Sequence, residues 1–342
     1  MEKPLDWAVC SVNARIVSLQ SACLLPPAHQ RHVRVFLPII WHDLACGVQR
    51  AFADRGHDTL VFDWQRHQRA LDREQLEARM IETARAFRPD LAFCQFQAPD
   101  VISEAFPLAL REQNCFAVHW CGDVRAPLPA WYLRLAPYFA VTSFSNGPDC
   151  DAVRAAGCRS EFLQIGVDDR LYHPPHPESE RSGVVFIGNN WLNFYPEGRN
   201  RIRTVQALAA ALGGDFRVYG QGWSGLVPSR SYGGILRQPA DAEVYRSARI
   251  AVGWEHFRRA GYASDRLLRA TACGCTVVQR HYDGIDQDHP HVIAVETVEE
   301  LVQATCAVLQ QGDAGSGLNN AHGTLTNHTW LRRVKQIETW LS

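Results

Sequence analysis

The sequence predicts an α/β protein built from two parallel-sheet domains facing across a cleft, and three observations lead there. A strand–helix–strand unit fills residues 33–62. A Pro-rich stretch near 172–180 interrupts the α/β pattern, which then restarts. In the restarted half, the strand and loop Arg249–Glu255 precede a polar helix start, Ser264-Asp265-Arg266. Its apolar run ends at Gly274 and turns into the β-branched Thr276-Val277-Val278.

The elements follow in order. His32–Ile40 reads as a buried strand, and Leu44 to Arg55 as a helix with Leu44, Val48, Ala51 and Phe52 on one face. Gly56 ends that helix and Thr59–Phe62 is the next strand, so parallel pairing is expected. An amphipathic helix over 72–87 stops at Pro89, before the strand Asp90–Cys94. A helix near 100–113 leads to the strand Cys115–Trp120. Tyr138–Thr142 is a short strand, a helix through Val153 stops at Gly157, and Phe162–Ile165 is the closing strand of this half.

Tyr172–Glu180 holds three prolines and no apolar period, which is linker composition. Beyond it come the strand Gly183–Gly188, the helix Arg201–Leu212 and the strand Phe216–Gly220. Then follow the helix Asp241–Ser247, the strand Ile250–Val252, the helix Asp265–Cys273 and the strands Val277-Val278 and His291–Val295. A helix over Thr297–Leu309 precedes a helical tail, Thr329–Leu341, striped by Trp330, Val334, Ile337 and Trp340. The expected division is an extension over 1–32, a Rossmann-like domain over 33–172, a linker over 173–181, a second Rossmann-like domain over 182–326, and a final helix over 327–342.

Composition bounds the function. The chain has 342 residues, 46% hydrophobic and 21% charged, which fits a soluble two-domain protein. Its formal net charge of -1 marks neither a nucleic-acid nor a membrane binder. The 11 cysteines are scattered, without a C-x-x-C pair, and Cys273-Gly274-Cys275 has poor metal-site spacing. Free thiols in a reducing compartment are the expectation. No apolar run approaches the ~18 residues of a membrane span, and Asn13 and Arg15 break the first apolar stretch. A cytoplasmic protein without a membrane span is therefore expected.

The candidate chemistry clusters where strands end. Open α/β sheets bind ligands at the carboxyl ends of their strands, and free N–H groups at helix starts favour phosphate. Gly188-Asn189 ends one strand, and Arg201 opens the helix after it. Tyr219-Gly220-Gln221-Gly222 ends another, as a Gly-x-Gly turn that lacks the third glycine of a dinucleotide fingerprint. Glu255 begins the loop that leads to Ser264, Asp265 and Arg266. Asp265 suits a helix cap as well as a ligand contact, whereas Arg266 opposes the helix dipole unless an anion is near. In the first half, His119 and Asp123 flank a strand end and are candidates for a general base or a sugar contact. Trp41-His42-Asp43 occupies the corresponding first loop.

Residues 160–342 resemble the CgeB-like (spore maturation protein) glycosyltransferases, within the group 1 glycosyltransferases of GT-B fold. The resemblance rests on Gly166-Val167-Asp168, Phe186-Ile187-Gly188, Asn200-Arg201, Val218–Trp223, Tyr245–Ile250, Asp265-Arg266, Ala272-Cys273-Gly274, Glu299-Glu300-Leu301 and His328-Thr329-Trp330, in that order. It implies a nucleotide-sugar donor, most often UDP-linked, held by the second domain without a metal or other cofactor. It also implies an acceptor (glycan, protein, small molecule or modified DNA) entering from the first domain, and a final helix packed back on that domain. By position it makes Gly188, Arg201, Gly220, Gly222, Asp265 and Arg266 donor-site residues.

One departure stands out. Relatives place a ribose-binding Glu three residues after the Asp-Arg arginine, where this chain has Arg269. A binding protein without turnover is thus an alternative, and a GT-B-fold epimerase acting on the nucleotide sugar alone is a separate one. A phage-type enzyme acting on hydroxymethylated pyrimidines in DNA is another, for which Arg66, Arg69 and Arg73 offer a small basic cluster.

Overall fold

The structure is a computed structural model that describes residues 32–39, 42–176, 179–236, 238–311 and 316–341. Trp41, the side chains of His42 and Asp43, and nearly all of the expected extension lie outside the described residues.

Six parallel strands form the first sheet: β1 (Arg34–Ile39), β2 (Asp58–Asp63), β3 (Leu91–Cys94), β4 (Phe116–Cys121), β5 (Val141–Phe144) and β6 (Ser160–Phe162), in the order β2-β1-β3-β4-β5-β6. The inner strands β1, β3, β4 and β5 are buried on both faces, as crossover helices require, whereas the edge strands β2 and β6 are partly open. Those helices are α1 (His42–Asp54), α2 (Trp64–Gln68), α3 (Arg73–Phe87), α4 (Ala105–Glu112), α5 (Ala130–Leu135) and α6 (Gly147–Ala155). Asp72 and Gln75 make a reciprocal capping box at the start of α3, and Arg88, left-handed at φ 52, ends it before Pro89. The last strand ends three residues earlier than the apolar pattern suggests. Leu163–Ile165 is buried coil whose first amide donates to the Phe144 carbonyl at 2.9 Å.

The second sheet is also parallel: β7 (Ser182–Ile187), β8 (Phe216–Tyr219), β9 (Ala248–Gly253), β10 (Thr276–Arg280) and β11 (Ile293–Val295), in the order β11-β10-β9-β7-β8. Around it lie α7 (Gly198–Leu212), α8 (Ala240–Ser247), α9 (Asp265–Ala272), α10 (Ile285–Asp288), α11 (Val298–Gln311) and α12 (Ser316–Asn327). The strand order reverses between β1 and β3 in one sheet and between β7 and β9 in the other. Such switch points open a crevice at the carboxyl ends of the strands.

Helix α12 has no counterpart in the sequence reading. Its two glycines and three asparagines disfavour a helix, and tertiary contact overrides them. Thr324 donates to Thr271 Oγ1 at 2.9 Å, and Gly317 lies so close to Gly274 that a Cβ would stand 2.0 Å from its carbonyl oxygen.

The last helix, α13 (Trp330–Glu338), returns to the first sheet. Trp330, Val334, Ile337 and Trp340 join Val48, Phe52 and Trp120 in one buried cluster. Glu338 accepts from both Arg55 Nε at 3.0 Å and Arg55 Nη2 at 2.6 Å, and pairs with His57. The crossing is fixed where Val167 N donates to the His328 carbonyl and Trp330 N to the Val167 carbonyl.

Candidate active site

A cavity of about 670 Å³ lies between the strand ends of the two sheets. From the first sheet it is lined by Gln95 and Gln97 after β3 and by Gly122–Arg125 after β4. From the second come Gly188 and Asn189 after β7, Gly220 after β8, Glu255 and His256 after β9, and Asp265, Arg266 and Arg269 of α9.

The α9 end carries a tight ionic network. Ser264 caps the helix, its Oγ accepting from Leu267 N at 3.4 Å and donating to Glu255 Oε1 at 2.7 Å. Glu255 Oε2 pairs with Arg266 Nη2. Burial pushes the Glu255 carboxyl up, but Arg266 and Arg201 outweigh it and bring it to about 2. Burial likewise opposes the Arg266 charge, and Glu255 and Asp265 hold it above the usual arginine range. Asp265 Oδ1 accepts from the Arg266 amide at 2.9 Å, and its other oxygen pairs with Arg269 at 3.1 Å. The helix start thus combines a cation, a dipole and carboxylates that occupy the anion-binding positions in this state.

Arg269 carries its own partners. It reaches Asp241 Oδ2 at 3.2 Å and lies 5.1 Å over the Tyr172 ring, while the Tyr172 hydroxyl donates to both Asp241 oxygens at 3.0 Å. Asp241 lines the same cavity. An acid therefore stands beside the unexpected arginine, contributed by α8 rather than α9. No sequence motif marks Asp241; the one available signal was that a buried Arg269 needs a carboxylate.

Asp123 faces α9 from the opposite sheet. Its carboxylate lies 3.5 Å from Arg125. Burial raises its pKa; Arg125 and Arg266 oppose that rise, and Asp265 adds to it. A carboxyl shifted upward beside a ligand cavity suits proton acceptance from a hydroxyl. His256, which follows Glu255 in the loop and carries no motif of its own, also lines the cavity. Burial, together with Arg201 and Arg266, lowers it to about 3, so it is neutral there.

Six of the expected site residues do not reach the cavity. His119 is fully buried on the opposite face of β4 from Trp120, because successive strand residues alternate. Its Nε2 lies 3.1 Å from the Phe96 carbonyl, its ring packs on Tyr132 and Phe139, and burial lowers it to about 4. It is a core histidine, not a cleft base. Arg201 is also fully buried. It lies 4.6 Å over Phe186 and donates to the carbonyls of Asn189 and Trp254, tying two site loops together. Burial, with Arg266 adding to the effect, lowers it to about 9.

The Tyr219 ring packs against Gly233, and the Gln221 amide donates to Asn189 Oδ1 at 2.9 Å. Gly222 permits a close approach to Asn190, where a Cβ would meet a carbonyl oxygen at 2.4 Å. Ser264 serves as the cap already described. These four hold the loops in shape without lining the cavity. Gly220, by contrast, is buried at the cavity wall and left-handed at φ 131, and a Cβ there would stand 2.5 Å from the Gly188 oxygen. Arg66, Arg69 and Arg73 lie on or beside α2 and at the start of α3, away from the cavity lining.

Two parallel sheets, each with its switch point open to one shared cavity, and a final helix returning across the junction decide the fold. It is GT-B. A glycosyltransferase from Rickettsia africae matches with a TM-score of 0.63 at 11% identity, over 91% of this chain and 98% of that one. An α,α-trehalose 6-phosphate synthase from Burkholderia multivorans matches at 0.61 and 12% identity, over 91% and 98%. A trehalose-6-phosphate structure from E. coli, bound with UDP-2-fluoro glucose, matches at 0.57 and 10% identity, over 90% and 97%. Residues 199–339 match the family described as Glycosyl transferase-like, which spans most of the second half of this GT-B chain from α7 to α13. No curated protein matches the sequence. Among the described residues, no helix is long and apolar enough to cross a membrane, and no group of three His, Cys, Asp or Glu could hold a metal ion.

Proposed function

We propose that this chain is a glycosyltransferase that moves a sugar from a nucleotide-sugar donor, UDP-linked, to an acceptor hydroxyl without a metal ion. One observation carries the reading. Arg266, at a helix start of one sheet, and Asp123, at a strand end of the other, line a single cavity. The donor diphosphate belongs at the α9 terminus, where Arg266 and the helix dipole offset the negative charge that grows on the leaving group. Gly188 and Gly220 let the backbone approach it. Asp123 accepts the proton of the acceptor hydroxyl as its oxygen bonds to the anomeric carbon and the bond to the nucleotide diphosphate breaks. Asp241, held at the cavity wall by Tyr172 and Arg269, is the carboxylate assigned to the ribose hydroxyls, which would share it with those two partners. The free thiols among the described residues support a cytoplasmic setting.

The test is nucleotide diphosphate release from a panel of nucleotide sugars, with Asp123→Asn alongside the wild type. Loss of a general base costs about 10² to 10⁴ in rate. The expectation is a drop of that size with UDP affinity retained. Absence of release by the wild type with every donor and acceptor would overturn the transferase reading and leave the binding protein and the epimerase.

A further inference from the structure

A second groove, of about 940 Å³, opens beside the donor cavity. Val124–Pro127, from the loop after β4, supplies one part of its lining, and Asn193–Pro196 with Arg199 supplies another. Val124, Arg125, Tyr195 and Phe257 line both spaces, so the groove runs directly into the cavity that holds Asp123.

Its chemistry is specific. Phe194 is 80% exposed, and its ring meets Tyr195 edge-on at 4.9 Å; Tyr195 in turn meets Phe257 at 5.2 Å. Phe194 thus stands exposed against the half-buried Tyr195 and Phe257, and an aromatic cluster open to solvent in this way marks a contact site. The charged residues of the described lining are Arg125 and Arg199, with no carboxylate among them. The loop that presents the aromatics is also held in a strained form. Leu192 adopts a left-handed backbone at φ 53, and its amide donates to Asn190 Oδ1 at 2.9 Å. Gly198 alone permits this fit, since a Cβ there would stand 1.8 Å from the Leu192 oxygen. Strain of this kind collects at ligand-binding segments.

We infer that this groove is the acceptor site and that it takes a sugar ring bearing a phosphate or a carboxylate, the ring lying on Phe194 and Tyr195 and the anion reached by Arg125 and Arg199. The inference rests on the transferase reading. Guanidinium pairs bind both anions in bidentate fashion, and aromatic faces receive the apolar face of a ring. A DNA duplex needs a broad basic surface, which two arginines in a chain of net charge -1 do not provide.

The test titrates the full chain with galactose, galactose 6-phosphate, galacturonate and a short DNA duplex, following intrinsic tryptophan fluorescence, with UDP as a separate titrant. The phosphate- or carboxylate-bearing sugar should bind at least about tenfold more tightly than galactose, the size of one charge-assisted hydrogen bond. The stronger of the two identifies the anion. Arg199→Gln, an exposed change, should erase that preference and leave UDP and galactose affinity unaltered, and Phe194→Ala should weaken all three sugars. Equal affinity for the three sugars, an unaffected Arg199→Gln, or a duplex that outcompetes the sugar acids would overturn the inference. UDP binding without an anion preference overturns this inference alone. Failure to bind UDP overturns the donor reading and leaves the sugar titration interpretable.

Discussion

Arg266→Ala tests the site at its centre. Glu255 is 6% exposed, and its carboxyl sits at about 2 against an ordinary 4.5, although burial pushes the other way. That depression corresponds to about 3 kcal/mol at neutral pH. Removing Arg266 leaves a buried carboxylate with Arg201 as its nearest remaining cation, and breaking such a pair costs about 3–5 kcal/mol. Urea unfolding at pH 7 should therefore show a loss of about 3 kcal/mol. The sign of the pH dependence follows. A depressed carboxyl contributes fully above its unfolded value near 4.5 and loses that contribution as pH falls toward about 2. The gap between wild type and variant should thus narrow at pH 3. Glu255→Gln in the Arg266→Ala background removes the stranded charge and should recover most of the stability, but not UDP affinity. A loss below 1 kcal/mol, or a double variant no more stable than the single one, would refute this account of the network. Unchanged UDP affinity in Arg266→Ala would reduce the helix start to a cap.

Gly188→Ala places a Cβ 2.3 Å from the Arg201 guanidinium; overpacking of this kind costs about 1–3 kcal/mol, to be read as a lower midpoint in urea. Arg269→Glu sets a third carboxylate beside Asp241 and Asp265, and should destabilise by about 3 kcal/mol or more rather than restore a relative's ribose contact; a stable variant with tighter UDP binding would contradict this. The His289 and His328 rings meet at a tilt, 4.6 Å apart; burial lowers them to about 3 and about 4, with His328 and Arg333 opposing charge on His289 and Arg333 opposing it on His328. The unfolded chain takes up protons first, so stability should fall as pH drops below about 6.5, by about 1.4 kcal/mol per histidine at pH 5.5. His289→Phe should flatten that slope in urea melts at pH 7 and 5.5.

Much of this was legible in the sequence for a physical reason. Parallel strands covered on both faces read as apolar runs, and glycine or proline marks their ends, so both sheets and the Pro-rich passage between them emerge from local signals. Asp265, Arg266 and Glu255 were legible because strand-to-helix loops at the carboxyl edge must face the cleft. His119 was not, because nothing local tells which face of a strand points toward the cavity. Arg201 reads as a ligand clamp from its place near a helix start. The helix begins at Gly198, however, and carries its side chain inward under the loops. Asp241 and Arg269 stand 28 positions apart, and only the packing of α8 on α9 joins them.

The return of α13 has a consequence for how the protein is made. Arg55 and Glu338 are 283 positions apart, and between them lies the whole second sheet. The apolar face of α1 therefore waits for Trp330, Val334 and Ile337 through the synthesis of an entire neighbouring lobe. At ordinary elongation rates that wait is on the order of 15–60 s. The first half keeps its own clusters elsewhere on its sheet, but the α1 side stays uncovered until α13 arrives, so cutting the protein at the Pro-rich passage should leave that apolar face open to water.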